Sequence, residues 1–140
     1  MTMLEDLRAD LVRDEGWIPH AYLDSEGLIT VGVGFMIDKK RGGKLYDEEI
    51  NFILDNRMRM VSRELGERLP QYRLYPEIVR RAVLNMAYNL GVSGLLRFKR
   101  MIAALDAGDY QTAATEALNS KWASQVGPRA HRIAALIREG

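Results

Sequence analysis

Apolar residues near the start of the chain recur every three or four positions, which is the spacing of one face of a helix. This pattern runs through residues 2–14. Thr2 followed by Glu5 is typical of an N-terminal capping box. Gly16 favours a helix end immediately before it. The pattern therefore predicts one amphipathic helix that ends close to Glu15.

The next stretch changes to an extended pattern. Pro19 prevents the helix from continuing, and residues 24–27 have the composition of a turn, with Asp first and Gly last. Residues 22–23 and the β-branched stretch 28–33 are predicted as the two strands of a hairpin. The Gly-Val-Gly run at the end of this stretch allows another group to approach the backbone closely.

A polar loop over residues 36–46 precedes a long predicted helix, 47–69, whose first turn is acidic, as the helix dipole prefers. Pro70 and Pro76 bound the linker after it. The apolar positions of the helix share one face: Ile50, Ile53, Leu54, Met58, Val61 and Leu65. A helix of this length can connect a small lobe to a larger one.

From Pro76 onward the pattern is helical. Residues 78–90 are apolar on nearly every side, which is typical of a helix in the middle of a bundle. Further helices are predicted over about 93–107, 109–123 and 128–138. The whole pattern predicts an α+β fold with a small β-hairpin lobe and a larger helical lobe.

Composition narrows the class of protein. The chain has 140 residues, enough for one domain with a sizeable core. No apolar run approaches the roughly 18 residues of a membrane span, and residues 1–6 lack the features of a secretory signal. Zero cysteines exclude thiolate ligands, and the two histidines, His20 and His131, argue against a histidine-based metal centre. We therefore expect no metal, no cofactor and no stable membrane insertion.

Charge is distributed unevenly. Residues 1–69 contain 10 basic and 14 acidic side chains, whereas residues 70–140 contain 10 basic and 5 acidic ones. The basic half could meet an anionic polymer, or it could be a solvated surface. A helical nucleic-acid-binding protein is one hypothesis that this leaves open. The acidic first half argues against it, and we expect no nucleic acid as a partner.

Glu15, Asp24 and Thr30 are the candidate chemical groups. Glu15 lies at the predicted helix C-terminus and Asp24 lies in a polar turn, so the two carboxyl groups are in unlike environments. Such a pair can act as general acid and general base, as glycoside hydrolysis requires. Thr30 can hold a water against Asp24. On spacing alone, however, these residues would more often be ordinary surface groups.

The residues around these three groups resemble a known active-site signature. Eight residues separate Glu15 from Asp24, and five separate Asp24 from Thr30. The likeness extends, in order, over nearly the whole chain: Asp14 to Gly16, Ala21 to Gly27, Thr30 to Gly34, Val79 to Arg81, Asn85 to Gly91, Ser93-Gly94, Phe98, Ser120 to Trp122, and Gln125 to Ala130. Together these segments resemble the phage-type lysozymes, glycoside hydrolase family 24.

The resemblance implies a peptidoglycan hydrolase, with peptidoglycan as its partner. It would cleave the β-1,4 bond between N-acetylmuramic acid and N-acetylglucosamine, with inversion. Glu15 would be the acid, Asp24 would activate the attacking water, and Thr30 would position that water. The resemblance also implies contacts with substrate or with the acid. Glu26, Met36, Tyr88, Asn89 and Lys121 would bind substrate, and Arg129 would pair with Glu15.

The implied architecture is one lysozyme-like domain over residues 1–140. Its parts would be a first helix at 1–14 that packs on the helical lobe, a small β lobe at 15–46, a connecting helix at 47–69, and the helical lobe at 70–140. The chain departs from the family pattern where Phe35 follows Gly-Val-Gly, since the family commonly has histidine there. The segment between hairpin and long helix is also short. Met101 and Glu116 fall where the family has polar substrate contacts.

One other reading of the likeness remains open. It is a lysozyme-like cell-wall-binding or phage-particle domain without catalysis, which intact Glu15, Asp24 and Thr30 argue against. The likeness also implies a route of release: an endolysin that acts in host cell lysis would begin in the host cytoplasm. It would then need a holin-type pore to reach the periplasm or cell wall. We expect the protein to be a monomer.

Overall fold

The computed structural model describes residues 2–140 of the protein. Met1 lies outside the described residues. The predicted domain, 1–140, and the segment examined for a secretory signal, 1–6, both begin at this residue. The fold is α+β, as predicted, with 68% helix and one three-stranded antiparallel sheet. The chain forms two compact units, Met1–Phe52 and Ile53–Gly140.

The first unit begins with helix α1, Met3–Glu15. The predicted capping box is present: the Thr2 side chain accepts a hydrogen bond from the Glu5 backbone, and the Glu5 carboxylate accepts one from the Thr2 backbone, at 2.7 Å. The helix ends at Gly16, as predicted. Both ends of the helix are therefore defined by residues close together in the chain, and this places Glu15 at the helix C-terminus. The predicted packing of α1 on the helical lobe stays a prediction.

The sheet has the order β1-β2-β3, with β1 at Ile18–Leu23, β2 at Ile29–Gly32 and β3 at Phe35–Met36. The predicted hairpin is confirmed, with Tyr22 opposite Thr30. The prediction lacked β3, because two residues are too short to show an alternating pattern. This third strand places Met36 directly opposite Thr30.

The loop after β3 is organised by Asp38. Its carboxylate accepts hydrogen bonds from the backbone of Lys40 at 2.9 Å and of Ile29 at 3.2 Å. These backbone donors hold the pKa of Asp38 below its usual value. A single turn of 3₁₀ helix, Lys39–Arg41, follows. Asp38 thus ties the loop to the strand residue next to Thr30.

The predicted long helix is confirmed as α2, Asp47–Arg68. Only Leu65 and Gly66 of this helix are buried. The upstream part of its apolar face is largely exposed, with Ile50 at 49% and Leu54 at 41%. The division between the two units falls inside this helix, after Phe52.

The second unit contains the core. Helix α3, Glu77–Leu90, buries the side chains of Val79, Val83 and Met86 completely, so one side of it belongs to the core. Its other side is exposed at Arg81 and Asn85, so the expectation of a helix buried on nearly every side was wrong. The linker before it forms a 3₁₀ helix, Pro70–Leu74. The helices that follow are α4 to α8, at Val92–Leu95, Lys99–Asp106, Tyr110–Leu118, Lys121–Val126 and Pro128–Arg138.

Two predicted helices were wrong in extent. The helix expected at 93–107 divides into α4 and α5, because the backbone leaves the helical region at Phe98, with ψ of 60°. The helix expected at 109–123 divides at Ser120, whose side chain caps α7 by accepting a hydrogen bond from the Ala123 backbone at 3.1 Å. Phe98 and Ser120, where the two breaks occur, line the same groove.

Within residues 2–140, no helix is both long enough and apolar enough to cross a membrane. In the same part of the chain, no group of three or more histidine and acidic side chains is arranged to hold a metal ion.

Candidate functional site

Glu15 is the last residue of α1, and its side chain is exposed. It lies against the backbone of Gly34, in the turn between β2 and β3. A Cβ atom built on Gly34 would come within 2.6 Å of Glu15 Oε2 and 2.9 Å of Cδ. The structure therefore brings the predicted acid to the Gly-Val-Gly run, where the sequence predicted a close approach.

Asp24 opens the turn that follows β1. Its Oδ1 accepts hydrogen bonds from the backbone of Glu26 at 2.8 Å and of Leu28 at 2.9 Å. Its own backbone N–H donates to the Leu28 carbonyl at 2.9 Å. These bonds hold the carboxylate in one orientation. Oδ2 accepts none of these bonds, so its lone pairs are left to accept a proton from a water molecule.

Thr30 lies on β2 and is buried, with only 3% of its surface exposed. Its hydroxyl donates to the Leu28 carbonyl at 3.1 Å, the same oxygen that accepts the Asp24 backbone N–H. Leu28 thus joins Asp24 and Thr30 through one peptide group. Because the single hydroxyl proton is already donated, Thr30 Oγ1 can only accept from a water that donates to it.

Two further predicted site residues belong to the same unit. Glu26 is exposed and forms an ion pair with Arg41 at 2.9 Å, with both side chains more than half exposed. Such a pair adds little stability, so it leaves Glu26 able to bind another partner. Met36 is half-buried on β3, opposite Thr30. The structure therefore gathers Asp24, Glu26, Thr30 and Met36 on one small sheet and its first turn.

Tyr88 and Arg129 line a groove of about 370 Å³ in the second unit. Tyr88 is 40% exposed, so it is not a core residue. The Arg129 guanidinium donates to Asn85 Oδ1 from Nε at 3.0 Å and from Nη2 at 2.7 Å. Asn85 therefore fixes the orientation of Arg129. The pairing of Arg129 with Glu15 stays a prediction.

Asn89 is held by Trp122. The indole Nε1 donates to Asn89 Oδ1 at 2.9 Å, and Trp122 is buried at 4% exposure. The indole also packs edge-to-face on Phe98, with ring centroids 6.1 Å apart. The amide oxygen of Asn89 is thus committed to the core, and its amide nitrogen is the group left for a ligand.

Lys121 lines a second groove of about 580 Å³ in the same unit. Arg97, Lys99 and Arg100 line it too, with Glu116 as its one acidic residue. No ion pair to these four basic side chains occurs within residues 2–140. Lys99 and Lys121 begin α5 and α7, where the helix dipole disfavours a cation. The groove is therefore strongly basic.

The sequence pointed to Lys121 but not to the other basic residues of this groove. The run from Arg97 to Arg100 was the available signal, and it is too short to indicate a site by itself. Met101 lines the groove but is buried, with 1% exposed, whereas Glu116 is partly exposed. Of these two departures from the family pattern, only Glu116 offers a polar side chain to a ligand.

The sequence profile of the family described as Phage lysozyme matches residues 12–138. The chain belongs to the phage lysozyme family. Glu15, Asp24 and Thr30 all lie within the matched residues. The prediction of the family is therefore confirmed, and with it a lysozyme-type peptidoglycan hydrolase is the function class that the family supports.

Three relatives show how this member of the phage lysozyme family compares with others. The chain is 27% identical to the pre-baseplate central spike protein Gp5 of Enterobacteria phage T4, and spans only 28% of that protein's length. It is 26% identical to each of two probable T4-type lysozymes of Dictyostelium discoideum, spanning 96% of each. The alignments extend over 164 or 165 positions against 140 residues here, so the relatives contain segments that this chain lacks.

Proposed function

We propose that this phage lysozyme family member cleaves the β-1,4 bond between N-acetylmuramic acid and N-acetylglucosamine in peptidoglycan, with inversion. The observation that supports this most is the pair Asp24 and Thr30, joined through the Leu28 carbonyl. Asp24 Oδ2 and Thr30 Oγ1 both offer lone pairs, and we propose that one water donates a hydrogen bond to each. A water held in this way has its own lone pairs directed away from both groups.

In the proposed reaction Glu15 donates its proton to the glycosidic oxygen as the bond to the anomeric carbon breaks. The water attacks that carbon from the opposite face, and Asp24 takes the proton that the water loses. Asp24 ends protonated and Glu15 ends ionised, so a proton exchange with solvent restores the enzyme. An inverting enzyme needs room for the water, which predicts carboxyl groups about 6.5–9.5 Å apart.

The proposal assigns substrate binding to Glu26, Met36, Tyr88, Asn89 and Lys121. The half-buried Met36 and the 40% exposed Tyr88 can pack on the apolar faces of sugar rings. Asn89 and Glu26 can hydrogen-bond hydroxyl and amide groups. Arg129 is proposed as the partner of Glu15, with Asn85 holding its guanidinium in place.

The biological setting is also a proposal. As a free endolysin, the protein would act in host cell lysis, leaving the host cytoplasm through a holin-type pore. The similarity to the T4 spike protein favours a second candidate, a lysozyme domain that belongs to a phage particle. A third candidate is a wall-binding domain without catalysis. An assay for hydrolysis distinguishes it from the other two, because only they would cleave peptidoglycan.

Release of reducing sugar from purified peptidoglycan tests the enzymatic proposal. We expect the wild-type protein to generate new reducing ends in proportion to enzyme concentration. Binding to peptidoglycan without any new reducing ends would contradict hydrolysis and favour the wall-binding reading. Tight, salt-sensitive binding to duplex DNA would instead favour a nucleic-acid-binding protein.

Replacing Lys121 by methionine should weaken substrate binding. The basic groove suits the carboxylates of the peptide stems, and one exposed charge contact contributes a modest amount, so KM should rise roughly twofold to fivefold with kcat nearly unchanged. Steady-state kinetics on solubilised peptidoglycan at low and high salt measures this, and the difference should shrink at high salt.

Arg132→Met is the matched control, because Arg132 is an exposed residue of α8 and does not line the groove. It removes one positive charge from the same unit. An equal rise of KM in both variants would mean that overall charge, and not the groove, attracts the substrate.

A further inference from the structure

We propose that Gly34 is a positioning residue for Glu15: the missing side chain at this position is what allows the acid to occupy its place. The inference rests on the proposed function, in which Glu15 is the acid. Glu15 Oε2, Cδ and Cγ would lie 2.6, 2.9 and 3.1 Å from a Cβ atom on Gly34. All three distances are shorter than ordinary carbon contacts, so the acid fills the space of the absent side chain.

The turn that holds Gly34 has a defined geometry. Val31 pairs with Phe35, and Thr30 pairs with Met36, so the three residues between Val31 and Phe35 form the connection. Gly34 has φ of 68°, a conformation that glycine adopts without a penalty. In this conformation the Cα–Cβ bond of an L residue at position 34 would point at Glu15.

Phe35 fixes this turn from the other side. A Cβ atom on Gly32 would lie 2.8 and 2.9 Å from two carbons of the Phe35 ring. The ring therefore packs directly on the Gly32 backbone, although it is still 51% exposed. In this way Phe35, the departure from the family pattern, has a clear packing role. The turn therefore contacts Glu15 at Gly34, and the Phe35 ring packs against it at Gly32.

A residue such as Gly34 can affect the rate of hydrolysis without contacting the substrate, because it determines where the acid lies. Displacing a catalytic group by about 1 Å can lower the rate by about a hundredfold. Glu15 is exposed, so a methyl group on Gly34 can push the carboxyl aside without disrupting a packed core. The expected result of Gly34→Ala is therefore a displaced acid in a folded protein.

Gly34→Ala and Gly42→Ala make a matched pair. Gly42 has the same φ of 68°, but nothing lies within 4 Å of a Cβ atom built there. Both variants place alanine at the same unfavourable φ, and only the alanine at position 34 meets Glu15. We expect kcat on peptidoglycan to fall about a hundredfold in Gly34→Ala, with KM changed by less than about twofold. Gly42→Ala should keep kcat within about twofold of wild type.

The second readout does not depend on catalysis. In protein labelled with ¹³C at the glutamate carboxyl carbons, the Glu15 resonance, assigned by its loss in Glu15→Gln, should shift in Gly34→Ala and stay in place in Gly42→Ala. If Gly34→Ala does not fold, Glu15→Asp should restore folding in that background, because the shorter acid retreats from the methyl group.

The possible results distinguish a failure of the positioning role of Gly34 from a failure of the proposed function. An unshifted Glu15 resonance in folded Gly34→Ala, or failure of Glu15→Asp to restore folding of an unfolded one, would overturn the positioning role. So would equal kcat in Gly34→Ala and Gly42→Ala. A wild-type protein that releases no reducing sugar would overturn the proposed function, and the carboxyl resonance would still decide the role of Gly34.

Discussion

Glu15→Gln is expected to lower peptidoglycan hydrolysis by about 10²–10⁴-fold while leaving the fold intact. The amide has the shape of the acid but no proton to donate, and general acid catalysis contributes about 10²–10⁴-fold to such reactions. Glu15 is exposed, so the free energy of unfolding should change by no more than about 0.5 kcal/mol. Reducing-sugar release and thermal unfolding, measured on the same preparation, give the two quantities.

Asp14→Asn is the matched control for Glu15→Gln. Asp14 is the exposed neighbour of Glu15 on α1 and pairs with Arg13 at 2.9 Å. Its replacement removes one carboxylate from the same helix end and should leave hydrolysis unchanged. A fully active Glu15→Gln protein would exclude Glu15 as the acid.

Asp24→Asn and Asp24→Ala should differ in stability but not in activity. Both remove the base, and we expect hydrolysis to fall about a hundredfold or more in each. In Asp24→Asn the side-chain oxygen can still accept from the backbone of Glu26 and Leu28, so the turn should remain. Asp24→Ala loses both bonds, which should cost about 1–3 kcal/mol of unfolding free energy.

Chemical denaturation and reducing-sugar release on the two variants measure these effects. Full activity of Asp24→Asn would mean that the residue only builds the turn. Equal stability of the two variants would mean that the hydrogen bonds at 2.8 and 2.9 Å contribute nothing to the fold.

The parts of this fold that depend on local interactions were predictable from the sequence. The capping box of Thr2 and Glu5 and the end of α1 at Glu15 involve residues close together in the chain, and the structure confirms them. The presence of the long helix α2 and of helix α3 is also confirmed, because their patterns extend over many turns. The position of Glu15 at a helix end was therefore predictable without any tertiary contact.

The parts that depend on distant contacts were not predictable. Arg129 and Asn85 are 44 residues apart, and Trp122 and Asn89 are 33 apart, so no local pattern indicates either pair. The basic groove combines the beginnings of two helices whose boundaries the sequence pattern did not show.

The candidate site shows the same difference between local patterns, which were predictable, and contacts between distant residues, which were not. The spacing of Glu15, Asp24 and Thr30 was visible in the sequence, and the Gly-Val-Gly run predicted a close approach. What could not be predicted is which group makes that approach, because it depends on a turn completed by the two-residue strand β3. The shared hydrogen bonds at the Leu28 carbonyl depend on the hairpin register in the same way.

The anomeric configuration of the first product tests the central claim most directly. Proton NMR during digestion of purified peptidoglycan shows the newly formed reducing ends before they mutarotate. Hydrolysis by Glu15 as acid and Asp24 as base predicts that N-acetylmuramic acid appears first as the α anomer. First appearance as the β anomer would show retention, and new ends on N-acetylglucosamine would show cleavage of the other bond. Either result would contradict the mechanism proposed for Glu15, Asp24 and Thr30.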